Sequence, residues 1–90
     1  MLHLSEIRGT TRMRILIIED DNETAAYLGK ALREAGHVTD HGADGDAGAA
    51  MAAEGGYDVI VADRMLPKRD GLSVIEELRR NGDHTPVLVL

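Results

Sequence analysis

The sequence has no cysteine, phenylalanine or tryptophan, and Tyr27 and Tyr57 are its only tyrosines. Without cysteine there is neither a disulfide scaffold nor a thiolate metal site, which fits a reducing compartment. Without more aromatic rings there is no platform on which nucleic-acid bases could stack. No apolar run approaches the roughly 18 residues that a membrane-spanning helix needs. Met1–Arg12 has no apolar stretch of signal-peptide length, so a cytoplasmic location is expected. Basic residues are also scarce: ten Lys and Arg face sixteen Asp and Glu, for a net charge of −6. The basic face that phosphate backbones require is therefore missing, and this segment is not expected to bind DNA or RNA.

What remains is the composition of one soluble globular domain, 43% hydrophobic and 29% charged over 90 residues. Met1–Arg12 is mixed in polarity and without periodicity. It reads as a disordered extension, with the domain running from Met13 to Leu90. Arg14–Ile18 is then a continuous β-branched apolar run, the pattern of a strand buried on both faces. Asn22–Ala35 carries Leu28, Ala31, Leu32 and Ala35 at helical spacing and stops at Gly36. His37–Thr39 reads as a short strand. Ala43–Glu54 is an alanine-rich helix weakened by interior glycines and closed by Gly55-Gly56. Asp58–Ala62 is a second buried strand. The loop Arg64–Gly71 leads to a helix over Leu72–Arg80, stopped by Asn81-Gly82, and Pro86–Leu90 is a last apolar strand.

Strands alternating with helices predict right-handed crossovers, a parallel sheet and helices on both of its faces. In such sheets, sites form beyond the carboxyl ends of the strands. Glu19 and Asp20 leave the first strand there, and Asp63 leaves the third. Three converging carboxylates repel one another unless a hard divalent cation sits among their oxygens. A carboxylate beside bound Mg²⁺ can act as a nucleophile toward phosphorus.

The segments ILIIEDD and VIVADRMLP-x-x-DG resemble the receiver domain of bacterial two-component response regulators, and the spacing between Asp20 and Asp63 suits that family. The resemblance covers Met13–Leu90 and implies a flavodoxin-like doubly wound α/β fold, with strand order 2-1-3-4. It implies that Asp63 is the phosphoacceptor and that a sensor histidine kinase is the partner. It further implies that Glu19, Asp20, Asp63 and the backbone carbonyl of Met65 hold Mg²⁺, with Glu19 acting through water. Pro67 and Gly71 match the turn after the acceptor, and Asp70 is expected to cap the following helix. DRMLP is most similar to the OmpR-like class, whose receivers precede a winged-helix DNA-binding domain, so the implied role is control of transcription by a self-modifying switch, not a turnover enzyme. Measured against that family the chain stops one position before the phosphoryl-sensing Ser or Thr. It also lacks the fifth strand with its lysine and the last two helices, so it is expected to bind Mg²⁺ but to switch poorly.

Plainer readings stand beside these. Asp21 and Asn22 fit an N-cap region better than a metal site. His37 and His41 flank a predicted strand without a nearby cysteine and read as a solvated edge, not a zinc site. Met51 and Met65 read as packing, and Glu76-Glu77-x-Arg79-Arg80 as an exposed helix face with i,i+3 pairs. Gly42, Gly45 and Gly48 do not form a dinucleotide fingerprint. The competing function is a binding module without phosphotransfer, in which the unpaired strand at Val87–Leu90 leads to self-association. A haloacid-dehalogenase-type phosphatase needs Asp-x-Asp directly after the first strand, and the acids here are out of register for it.

Overall fold

A computed structural model describes residues 11–90. The elements are β1 (Arg14–Ile18), α1 (Asn22–Glu34), β2 (Val38–Gly42), α2 (Gly45–Glu54), β3 (Val59–Ala62), α3 (Gly71–Arg80) and β4 (Val87–Val89). All strand pairs are parallel, in the order β2-β1-β3-β4 expected above. The disordered extension expected at Met1–Arg12 falls outside the described residues, apart from Thr11 and Arg12. Among the described residues no helix is long and apolar enough to cross a membrane.

The sheet is buried from both sides, which is why β1 and β3 are continuously apolar. Ile15 and Ile17 of β1, with Val59 and Val61 of β3, pack against Leu28 and Leu32 of α1. Leu16, Ile18, Ile60 and Ala62 point the other way, onto Ala49 and Ala52 of α2 and Val74 and Leu78 of α3. The interior glycines that weaken α2 as a helix bring it close to the sheet: a Cβ on Gly48 would lie 2.6 Å from the Ile18 side chain. α2 starts two residues later than expected because Asp44 is its N-cap, accepting from the Ala47 N–H at 2.8 Å.

β2 differs most from the sequence expectation. It does not stop at Thr39 but runs to Gly42, with Asp40, His41 and Gly42 in register with Leu16, Ile17 and Ile18. Asp, His and Gly have poor strand propensity, yet pairing to the central strand decides the matter. The edge position lets their side chains find partners outside the core. Asp40 Oδ2 accepts from the Tyr57 hydroxyl at 2.7 Å and from Arg14 Nη2 at 3.2 Å. The Arg14 guanidinium also stacks over the Tyr57 ring, 4.5 Å from its centroid.

His37 is not the solvated edge residue expected. It is 4% exposed, and its Nδ1 accepts from the Met13 N–H at 2.9 Å. Two further expectations are corrected. Met65 is 77% exposed and does not pack, while Met51 does pack against the core. Glu77 pairs across to Arg69 at 3.2 Å instead of along its own helix, and Arg79 donates to the Asp83 carbonyl.

The Asp40 cluster makes a prediction. The Tyr57 hydroxyl, then the Arg14 contact, hold the Asp40 carboxyl below its ordinary value of 3.8. A depressed folded value contributes stability above the unfolded pKa and loses it as pH falls through the folded one. Tyr57→Phe is expected to cost about 1 kcal/mol at pH 7, a figure discounted for the half-exposed site. It should also flatten the acid side of the stability curve, as read by urea unfolding from pH 7 to pH 3.

Candidate acidic site at the carboxyl edge of the sheet

β1 and β3 are neighbours, with Ile18 opposite Ala62, so the residues that follow them emerge side by side. The ladder continues one step further, because the Asp63 N–H donates to the Ile18 carbonyl at 2.9 Å. As a result one carboxylate oxygen from each of Glu19, Asp20 and Asp63 lies within 4.8 Å of the others. Glu19 is 4% exposed, Asp20 is exposed and Asp63 is half-buried.

Glu19 feels the arrangement most. Burial pushes its carboxyl above the ordinary value of 4.5, and the Asp63 charge and contacts to Asp63 and Asp20 push it further. The Asp21 N–H, donating to Glu19 Oε1 at 3.0 Å, opposes this in part. Among the described residues none of the three acids forms an ion pair with Lys or Arg; the three ion pairs present are Arg14–Asp40, Lys68–Asp44 and Arg69–Glu77. The cluster thus concentrates acidic groups with no Lys or Arg of the described residues paired to them.

Asp21 stands apart, as expected of a cap. It is the N-cap of α1, with Oδ1 accepting from the Glu23 N–H at 3.2 Å and Oδ2 from the Thr24 hydroxyl at 2.7 Å. Those bonds hold its carboxyl below the ordinary value.

The loop after Asp63 is tied down at several points. The Met65 N–H donates to Asp63 Oδ1 at 3.1 Å, fixing the side chain of the expected acceptor. The Gly71 N–H reaches back to the Arg64 carbonyl at 3.0 Å. The Pro67 carbonyl accepts from Arg69 at 2.8 Å and from Gly45 at the start of α2 at 3.2 Å. Lys68, with φ 69°, occupies the left-handed region between them. Asp70 caps α3 through the Ser73 N–H at 2.8 Å, as expected.

Two supporting contacts escaped the sequence reading. Arg69 braces the loop on Glu77 and on the Ser73 carbonyl. His41 Nε2 lies 2.6 Å from the Glu19 carbonyl. A strand continued to Gly42 would have placed His41 beside Ile17 and within reach; Arg69 left no comparable signal.

The family described as the response regulator receiver domain matches residues 15–90. The chain belongs to that family. Curated relatives of this receiver include the transcriptional activator protein IrlR of Burkholderia pseudomallei, 50% identical over 78 residues. The probable transcriptional regulatory protein SilR of Salmonella typhimurium is 46% identical over 78 residues. Each alignment covers 87% of this chain but 34% of the relative, so the chain spans about a third of their length. Among solved structures, the receiver domain of the Francisella response regulator 1452 superposes with a TM-score of 0.83 at 32% identity, over 86% of this chain and 64% of that one. Membership in this family also leaves the haloacid-dehalogenase reading without support.

Proposed function

We propose that Asp63 accepts a phosphoryl group from the phosphohistidine of a sensor kinase, and that the modified receiver controls a transcription-regulating output domain. The observation that carries this reading is the convergence of Glu19, Asp20 and Asp63 at the ends of adjacent strands, with no Lys or Arg of the described residues paired to them.

The donor set fits Mg²⁺. All three groups are hard oxygens, and a small dication offsets the repulsion that raises Glu19. Glu19, Asp20, Asp63 and the Met65 carbonyl are the residues that would hold it, Glu19 through a water. When bound, Mg²⁺ supplies charge neutralisation at the transferring phosphoryl oxygens. The rest falls to the chain's own residues. The Met65 N–H orients the Asp63 carboxylate, and an Asp63 oxygen attacks phosphorus. A P–O bond forms as the donor's P–N bond breaks, and the departing imidazole takes up a proton. The product is an acyl phosphate on the receiver itself, so the chain is a phosphorylated switch and not a turnover catalyst.

Incubation with a small-molecule phosphoryl donor such as acetyl phosphate tests this by intact mass. The expected outcome is a gain of one phosphoryl group that requires Mg²⁺ and is lost in chelator. No gain in a chain shown to be folded by circular dichroism would contradict the proposal.

A further inference from the structure

We propose that His41 is a positioning residue for the metal site, acting through the peptide bond that joins Glu19 to Asp20. This inference rests on the Mg²⁺ site proposed above.

The Glu19 carbonyl belongs to the peptide that carries Glu19 on one side and Asp20 on the other. The orientation of that plane sets ψ of Glu19 and φ of Asp20, the torsions through which two of the three clustered carboxylates stand relative to each other. β2 holds it from two consecutive residues. The Glu19 N–H donates to the Gly42 carbonyl at 3.1 Å, continuing the β1–β2 ladder past its last paired residues. The His41 ring then reaches the Glu19 carbonyl, with Nε2 as donor at 2.6 Å. A carbonyl can only accept, so this contact sets the tautomer: Nε2 carries the hydrogen. The hold matters because the Glu19 side chain is nearly fully buried with its carboxylate within 4.8 Å of those of Asp20 and Asp63, so a small change in its backbone would disperse the cluster. The ladder bond fixes the nitrogen side of Glu19, and the Asp21 N–H holds its carboxylate at 3.0 Å, but neither bond engages the Glu19 carbonyl itself. His41 does, and the outermost strand of the sheet thereby aims acids that lie on the β1–α1 connection.

His41 contributes no ligand atom to the cluster, so its effect should appear in how well the two acids are held. His41→Ala removes the donor. His41→Gln keeps an N–H at nearly the distance of Nε2, whereas His41→Asn has an N–H but falls short.

The test is calorimetric titration of the 90-residue chain and the three variants with Mg²⁺ alone, paired with melting curves with and without the ion. His41→Ala and His41→Asn are expected to weaken Mg²⁺ binding about three- to tenfold, while His41→Gln stays within about twofold of the parent. The Mg²⁺-induced rise in melting temperature should shrink in the first two variants and persist in the third. A role confined to folding would lower the melting temperature equally with and without Mg²⁺ and leave the affinity of the folded chain unchanged; that result overturns the inference while the metal site stands. If the parent chain binds no Mg²⁺, the site itself falls and the inference falls with it. ¹⁵N spectra reporting the Nδ1–H tautomer of His41 would contradict the geometry independently of the metal.

Discussion

Asp63→Asn is expected to abolish phosphoryl uptake and, at the same time, to make the metal-free chain more stable at neutral pH. The first effect follows from chemistry: an amide oxygen is a far poorer nucleophile than a carboxylate, and no other acid has the same support from the Met65 N–H. The replacement is nearly isosteric and its carbonyl oxygen still accepts that hydrogen bond, so the loss reports the nucleophile and not a collapsed loop. The second effect follows from repulsion. Glu19 carries a raised folded pKa, caused first by burial and then by Asp63. A raised value gives stability that is complete below the unfolded value of 4.5 and is lost as pH rises through the folded value. At pH 7, above the unfolded value, the parent chain therefore bears a repulsion between Glu19 and Asp63 that the variant does not. With the oxygens within 4.8 Å of one another that cost is about 1 kcal/mol in the high-dielectric limit, and the burial of Glu19 can only increase it. Urea unfolding in chelator should show the gain at pH 7 and its decline as pH falls toward the unfolded value of 4.5. Lower stability of the variant at pH 7 would contradict the repulsion, and residual phosphorylation would contradict the acceptor.

A large structural effect is expected at Gly71, the first residue of α3. A Cβ there would overlap the Asp63 carbonyl oxygen and lie 3.1 Å from its carbon and 3.3 Å from Arg64 Cα. All of these atoms are backbone, so no side chain can rotate aside. The same residue closes the acceptor loop through its bond to the Arg64 carbonyl. Gly71→Ala is expected to cost about 2–3 kcal/mol, even after the better helix propensity of alanine is counted. It should also impair the Mg²⁺-dependent mass gain, since the displaced atoms are those of Asp63, the proposed acceptor. Gly29→Ala in the middle of α1 is the matched control. There the added Cβ meets only the far end of the Arg33 side chain, which can swing away. That variant should be neutral or stabilised by up to about 1 kcal/mol. Equal chemical denaturation midpoints for the two variants would refute the close approach at Gly71.

Much of this architecture is legible in the chain because burial and chemistry coincide there. β1 and β3 lie between helices on both faces, so their sequences are unbroken apolar runs with acids at their ends. Asp21 and Asp70 sit where helix N-termini need acceptors, and the structure uses both as caps, whereas the capping role of Asp44 is hidden behind a helix expected to start at Ala43. The acids of the site are legible for the same reason, since a carboxylate directly after a buried strand has few structural roles. What is not legible depends on partners distant in the chain. β2 extends through Asp40, His41 and Gly42 because β1 offers them a ladder, and local propensity argues against it. His37 is buried because Met13, 24 residues earlier, presents an N–H to its ring. Met65 looks like a core residue by composition but belongs to a loop held by backbone bonds to Asp63, which leaves its side chain in solvent. Glu77 finds Arg69 across a loop instead of an arginine on its own helix.

Locating the phosphoryl group tests the central claim most directly. After incubation with acetyl phosphate and Mg²⁺, borohydride reduction converts a phosphorylated aspartate to homoserine, and peptide mass spectrometry identifies the residue. The acidic site as described predicts conversion at Asp63 alone, dependent on Mg²⁺. Conversion at Asp20, modification at Glu19, or an unmodified chain that is folded would contradict it.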